Sequence, residues 1–184
     1  MAEYKFLQKK GYKKIYLPAL ITIFIVCLVF FASKSYANYI QFGSPSPTVT
    51  VQPYSYNPTW MTPLDNARIE WSNRSNVASV NCCSTSGNIT LSVVNTANVT
   101  WYGQYQRTSV SPYSGAVRIH SGNINGANNL TNFTNFVQSV TAHEYGHVFS
   151  LDHLAAPSIM YRNRDRNFVI HPKTGDLQLV SDYY

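Results

Sequence analysis

The stretch TAHEYGHVFSLDH, residues 141–153, carries three histidines and one glutamate within a segment of helical character. LTNFTNFVQSVTAHEYGHVFSL (130–151) has no proline, and Phe133, Phe136, Val137, Val140 and Tyr145 or Val148 recur at helical spacing. The spacing predicts one long helix beginning between Thr131 and Asn135, where good capping residues abound. His143 and His147 are four apart, so both imidazoles project from one face and can share a metal ion. Glu144 stands beside the first ligand, where a carboxylate can take a proton from a metal-activated water and pass it to a leaving amine. Two nitrogens are not enough, because a catalytic zinc site takes three protein ligands and keeps one position open. His153, six residues after His147, supplies the third if the chain turns sharply after about Phe149. The competing arrangement, with a downstream glutamate as third ligand, is excluded because no glutamate follows Glu144. His171 is a conceivable substitute, though before Pro172 it reads first as a surface-loop histidine. His120, at the end of an expected strand, reads as an exposed residue or a side-chain partner.

Upstream, the chain favours strands from about Trp60 to residue 120. ARIEWS (67–72) alternates partly, NITLSVVN (88–95) and NVTWYGQY (98–105) are rich in β-branched and aromatic residues, and GAVRIHSG (115–122) is a further short strand. Downstream, GDLQLVSDYY (175–184) predicts a short helix capped by Asp176, with Leu177, Val180 and Tyr184 facing inward. Strands first and helices later argue for an α+β arrangement. Residues 38–59, rich in Pro, Ser, Thr and Tyr and free of charge, read as an extended linker, so the folded domain is expected over 60–184.

The formal charge of +6 is concentrated at the N-terminus. Residues 1–37 hold six lysines against Glu3, which leaves eight basic and seven acidic residues for 38–184. No basic patch argues for nucleic acid. The lysines precede an apolar run, IYLPALITIFIVCLVFFA (15–32), and Ser35 and Ala37 provide small residues for a cut after Ala37. This is the pattern of a secretory signal peptide; the alternative is an uncleaved anchor, since 18 apolar residues just span a bilayer. Either way the remainder is expected outside the cytoplasm, and membrane contact in the mature form depends on whether 15–32 is retained. Cys82 and Cys83 are adjacent, and the ring that would join them is strained. A disulfide framework is therefore not expected, and the two read as a small buried pair or as free thiols.

Met160, in SIMY (158–161), lies seven residues beyond His153. HEYGHVFSLDH followed by SIMY resembles the metzincin clan of zinc endopeptidases, whose pattern is HExxHxxGxxH with a downstream methionine turn. The likeness is nearest to short secreted matrixin-like peptidases of bacteria. It extends to a Trp-containing strand at Trp71, a WYG strand at 101–103, and a closing segment from Pro172 to Tyr183 or Tyr184. It implies a twisted, mostly parallel five-stranded sheet packed on the active-site helix, with a small C-terminal subdomain. It also implies zinc on His143, His147 and His153, Glu144 as general base, and Met160 as a hydrophobic floor beneath the histidines. GAVRIHSG would be the edge strand that pairs with an extended peptide or protein substrate. The implied activity is that of a secreted zinc metalloendopeptidase, with a catalytically silent zinc-binding module of the same fold as the alternative. Two residues depart from the pattern. Ser150 replaces the glycine that redirects the chain, at a strain of about 1 kcal/mol if φ is positive. Arg162 occupies the place where some members carry a zinc-ligating tyrosine, and Tyr161 falls one residue too early. With few acidic residues in the domain, structural calcium is not expected.

Overall fold

A helix that offers metal ligands on one face must bury the others, and the surrounding elements do this. The computed structural model describes residues 38–184; the signal or anchor segment read at 1–37 lies outside the described residues. Among the described residues no helix is long and apolar enough to cross a membrane. In chain order the elements are β1 (Thr48–Thr50), α1 (Pro58–Arg74), β2 (Ser79–Asn81), β3 (Ile89–Val94), β4 (Gly103–Val110), β5 (Tyr113–His120), the short α2 (Ser121–Asn125), α3 (Phe133–Val148) and α4 (Thr174–Tyr183). This is an α+β fold.

The strands form a mixed open sheet. β1 pairs with β2 in parallel, β3 with β5 in parallel, and β5 with β4 antiparallel. A parallel bridge between Val51 and Ile89 joins the two-stranded and three-stranded parts, reinforced by Gln52 N–H donating to Ile89 O at 2.8 Å. Helix α3 begins at Asn132, whose side chain accepts from Asn135 N–H at 2.9 Å, so the start falls within the expected window. Helix α1 packs against α3, and Trp71 fixes the contact by donating its indole N–H to Ala142 O at 2.8 Å in the buried core.

Several sequence expectations are corrected. ARIEWS is helix, not strand: Asn57 accepts from Trp60 N–H, Pro58 opens the helix, and Leu64, Ala67 and Trp71 form its buried stripe. Those spacings of three and four begin upstream of the hexapeptide whose alternation suggested a strand. Nor is 38–59 a linker. TVTV (48–51) supplies β1 and two core residues, Val49 and Val51, at 1% and 0% exposure. Its β-branched alternation is hidden in an otherwise uncharged, proline-spaced composition. GAVRIHSG is central and not an edge, since the order β3-β5-β4 leaves β4 outermost in that part of the sheet. Finally, Cys82 and Cys83 are exposed, not a buried pair. NVTWYGQY enters its strand only at Gly103, and Asp176 is the third residue of α4 rather than its cap.

The arm before β1 also belongs to the fold. Ile40 N–H donates to Ser150 O at 2.7 Å, Ser44 N–H to Val148 O at 2.6 Å, and Asp152 N–H to Asn38 O at 2.8 Å. Deleting 38–52 from the 38–184 chain should therefore abolish cooperative unfolding in denaturant. A 53–184 chain that unfolds with an unchanged midpoint would contradict this packing.

Candidate metal centre

The three histidines converge because two come from one helix face and the third is returned to it by a turn. Phe149 N–H bonds to Tyr145 O, Ser150 N–H to His147 O and Leu151 N–H to Gly146 O, each at 3.0 Å. The last two are the paired bonds of a Schellman helix stop, which requires a left-handed residue at the Ser150 position. Ser150 has φ 67°, and its buried Oγ finds no hydrogen-bond partner among the described residues. The turn expected after Phe149 is present, and serine takes the conformation glycine would adopt more easily.

His143, His147 and His153 each offer a ring nitrogen within 4.8 Å of the others, close enough to hold a metal ion. Each Nδ1 faces an oxygen: Ile159 O at 2.8 Å for His143, Leu151 O at 2.8 Å for His147, and Asp152 Oδ1 at 3.4 Å for His153. An oxygen that accepts favours the proton on Nδ1 and a free lone pair on Nε2; at His143 the Arg164 Nη1 donor, 3.1 Å from the same Nδ1, competes with the Ile159 carbonyl. His143 Nε2 and His153 Nε2 are 3.3 Å apart. That is the edge of a tetrahedron with metal–nitrogen bonds of about 2.0–2.1 Å.

Burial lowers the proton affinity of all three rings. His143 is held well below its ordinary value, first by burial and then by the Arg164 charge. His147 is pushed down to about 4, mainly by burial, and His153, the most exposed, is lowered less severely. All three are thus neutral ligands at pH 7.

Glu144 is buried in the cleft wall, and burial raises its carboxyl to about 8 against the opposing pull of Arg164, the Tyr105 backbone N–H and Arg166. A carboxyl at that value is largely protonated at pH 7, and a positive charge placed at the histidines would lower it towards the carboxylate that can act as a base. Its approach to β4 depends on Gly103, where a Cβ would lie 2.8 Å from Glu144 Oε1 and 2.6 Å from Val140 Cγ1. Glu144, the three histidines and the Trp101–Tyr105 segment line one cleft of about 510 Å³.

Met160 is fully buried, and its sulfur packs on Gly146, in the turn of α3 between the two helical histidines. Below it, the buried Asp176 carboxylate accepts from Ser158 Oγ, from Ile159 N–H at 2.9 Å and from Lys173 N–H at 2.7 Å. Asp176 thereby fixes the loop whose Ile159 carbonyl orients His143. The other two histidines stand apart. His171 is near Lys173 Nζ at 3.3 Å, and His120 is buried, capping α2 by accepting from Asn123 N–H at 2.9 Å. The sequence reading missed Arg164 and Arg166, which also line the cleft; RNRDR (162–166), with three of the eight basic residues in 38–184, is the signal that marks them. No family model matches the chain, and no curated protein matches it.

Ser150→Gly removes both the left-handed serine and the unpaired hydroxyl, less the extra backbone entropy of glycine. Denaturant unfolding should show a gain of about 1 kcal/mol with metal stoichiometry unchanged. Loss of metal binding in this variant would contradict the role given to the turn.

Proposed function

We propose that the chain is an exported zinc-dependent endopeptidase of metzincin type, acting on peptides or proteins. The observation that carries this reading is the presence of Glu144 in the same cleft as three histidines whose ring nitrogens converge. A purely structural metal site has no use for a buried base beside it, which argues against a catalytically silent module. Imidazole suits several divalent ions, and the three-histidine set with a neighbouring glutamate fits a catalytic zinc best. Zinc there supplies a Lewis acid that polarises a peptide carbonyl and makes water acidic at neutral pH.

The chain's own residues do the remaining work. Glu144 accepts a proton from the attacking water and delivers it to the departing amine, a role that its place in the cleft beside the histidines allows. Tyr102, Gly103, Gln104 and Tyr105 line the cleft at the start of the outermost strand, where an extended peptide can add to the sheet through main-chain hydrogen bonds. This gives β4 the substrate-pairing part that the resemblance assigned to GAVRIHSG. Met160 keeps the α3 turn packed beneath the histidines. Export rests on the lysine-rich and apolar pattern of 1–37, whether that segment is cleaved or kept as an anchor.

The 38–184 chain should hydrolyse a denatured protein substrate in a chelator-sensitive manner, with one zinc per chain. Glu144→Ala should retain the zinc and lose turnover by about 10²-fold or more. Equal turnover in the two proteins, or no zinc in either, would contradict the reading.

A further inference from the structure

The cleft carries more positive charge than its histidines and Glu144 account for. Arg162, Arg164 and Arg166 all line it, and Glu144 is the one acidic residue among the lining groups. Among the described residues no carboxylate lies within 4.0 Å of any of these guanidiniums. Asp165, between them in sequence, is engaged elsewhere, accepting from Asn167 N–H at 2.9 Å and Asn167 Nδ2 at 3.0 Å. In a region with eight basic and seven acidic residues, this concentration does not follow from composition.

The three arginines differ in what they have left to give. Arg164 is buried and committed: Nε donates to Ser139 Oγ at 3.0 Å, Nη2 to Ser139 O at 2.9 Å and Nη1 to Tyr161 O at 3.1 Å, with Nη1 also 3.1 Å from His143 Nδ1. It contributes a fixed positive charge. Arg166 is half-buried, stacked 4.9 Å from the Tyr102 ring centroid and 5.7 Å from that of Phe136, with Nη2 donating to Arg162 O at 3.0 Å. The stack fixes the plane of its guanidinium. Its Nε is buried and donates to nothing among the described residues. Arg162 is exposed at the same rim. The Arg166 Nη1 likewise has no hydrogen-bond partner among the described residues and, unlike Nε, is not buried; a preoriented guanidinium with that accessible donor, backed by a second fixed charge, can receive a planar anion.

We propose that Arg166 and Arg162 form a carboxylate-binding subsite of the cleft, so that the enzyme selects peptide substrates presenting a carboxylate beside the bond to be cleaved. The inference rests on the peptidase reading for its substrate class. Two sources share this chemistry: an Asp or Glu side chain within the substrate, and the substrate's own C-terminal carboxylate. Arg164 acts as a positioning residue, adding field without touching the anion.

The test uses the zinc-loaded 38–184 chain and a series of quenched-fluorescent peptides. Glu, Gln and Lys are placed in turn at each position around the cleaved bond, each peptide with a free and an amidated C-terminus. The expected result is a Glu over Gln preference of about tenfold or more in kcat/KM at one position, the size of one charge-assisted contact. It should weaken with added salt. A preference for the free over the amidated terminus instead would place the substrate's terminal carboxylate in the subsite. In Arg166→Gln, and in the exposed variant Arg162→Gln, the Glu:Gln ratio should move towards one. Hydrolysis with a ratio near one at every position and no effect of amidation would overturn the subsite and leave the peptidase reading intact. If no peptide is cleaved, polarisation binding of the same peptides separates the two claims. Tighter binding of the carboxylate-bearing peptide, lost in both arginine variants, keeps the subsite and removes the peptidase reading; equal binding removes both.

Discussion

Helix α3 has to stop at Phe149, because every further turn would carry the chain away from His143 and His147. The left-handed residue at Ser150 makes that stop, and the site depends on it. It closes the paired bonds from Ser150 to His147 O and from Leu151 to Gly146 O, and it aims Leu151 O at His147 Nδ1. It also turns the backbone so that His153 comes within 3.3 Å of His143. The N-terminal arm pairs with the same turn through Ile40, Ser44 and Asn38. A strained residue held by bonds on both sides is what over-determination by the surrounding structure looks like.

A second line of support runs from the C-terminus. Asp176 gathers Ser158, Ile159 and Lys173 around one buried carboxylate, which ties the start of α4 to the loop after His153. That loop presents Ile159 O to His143 and places the Met160 sulfur under Gly146. The histidines are thus oriented by groups from three places in the chain, each acting at Nδ1. All the free valence is left at Nε2.

The site was more legible in the sequence than the fold around it. Two histidines four apart, Glu144 between them, and His153 at the right distance are local facts, and a helix with a stop converts them directly into geometry. The long helix and the C-terminal helix were legible for the same reason, since their periodicity is strong. Long-range pairing was not. ARIEWS is ambiguous as a hexapeptide, and only the stripe through Leu64, Ala67 and Trp71 reveals its helix. The TVTV strand gains its meaning from partners 30 or more residues away, Val80 and Ile89, which no local pattern displays. Which strand lies at the edge is likewise a property of the assembled sheet. Arg164 and Arg166 escaped notice, and Arg162 was read only as a missing tyrosine, because near-neutral charge over 38–184 concealed a local concentration.

The central claim is that three imidazoles, and nothing else from the chain, hold one zinc ion. X-ray absorption on the zinc-loaded 38–184 chain addresses the claim directly. The account predicts a four-coordinate site with three imidazole nitrogens at about 2.0–2.1 Å and one further light atom. A sulfur scatterer at about 2.3 Å, or a shell with fewer than three imidazoles, would contradict it.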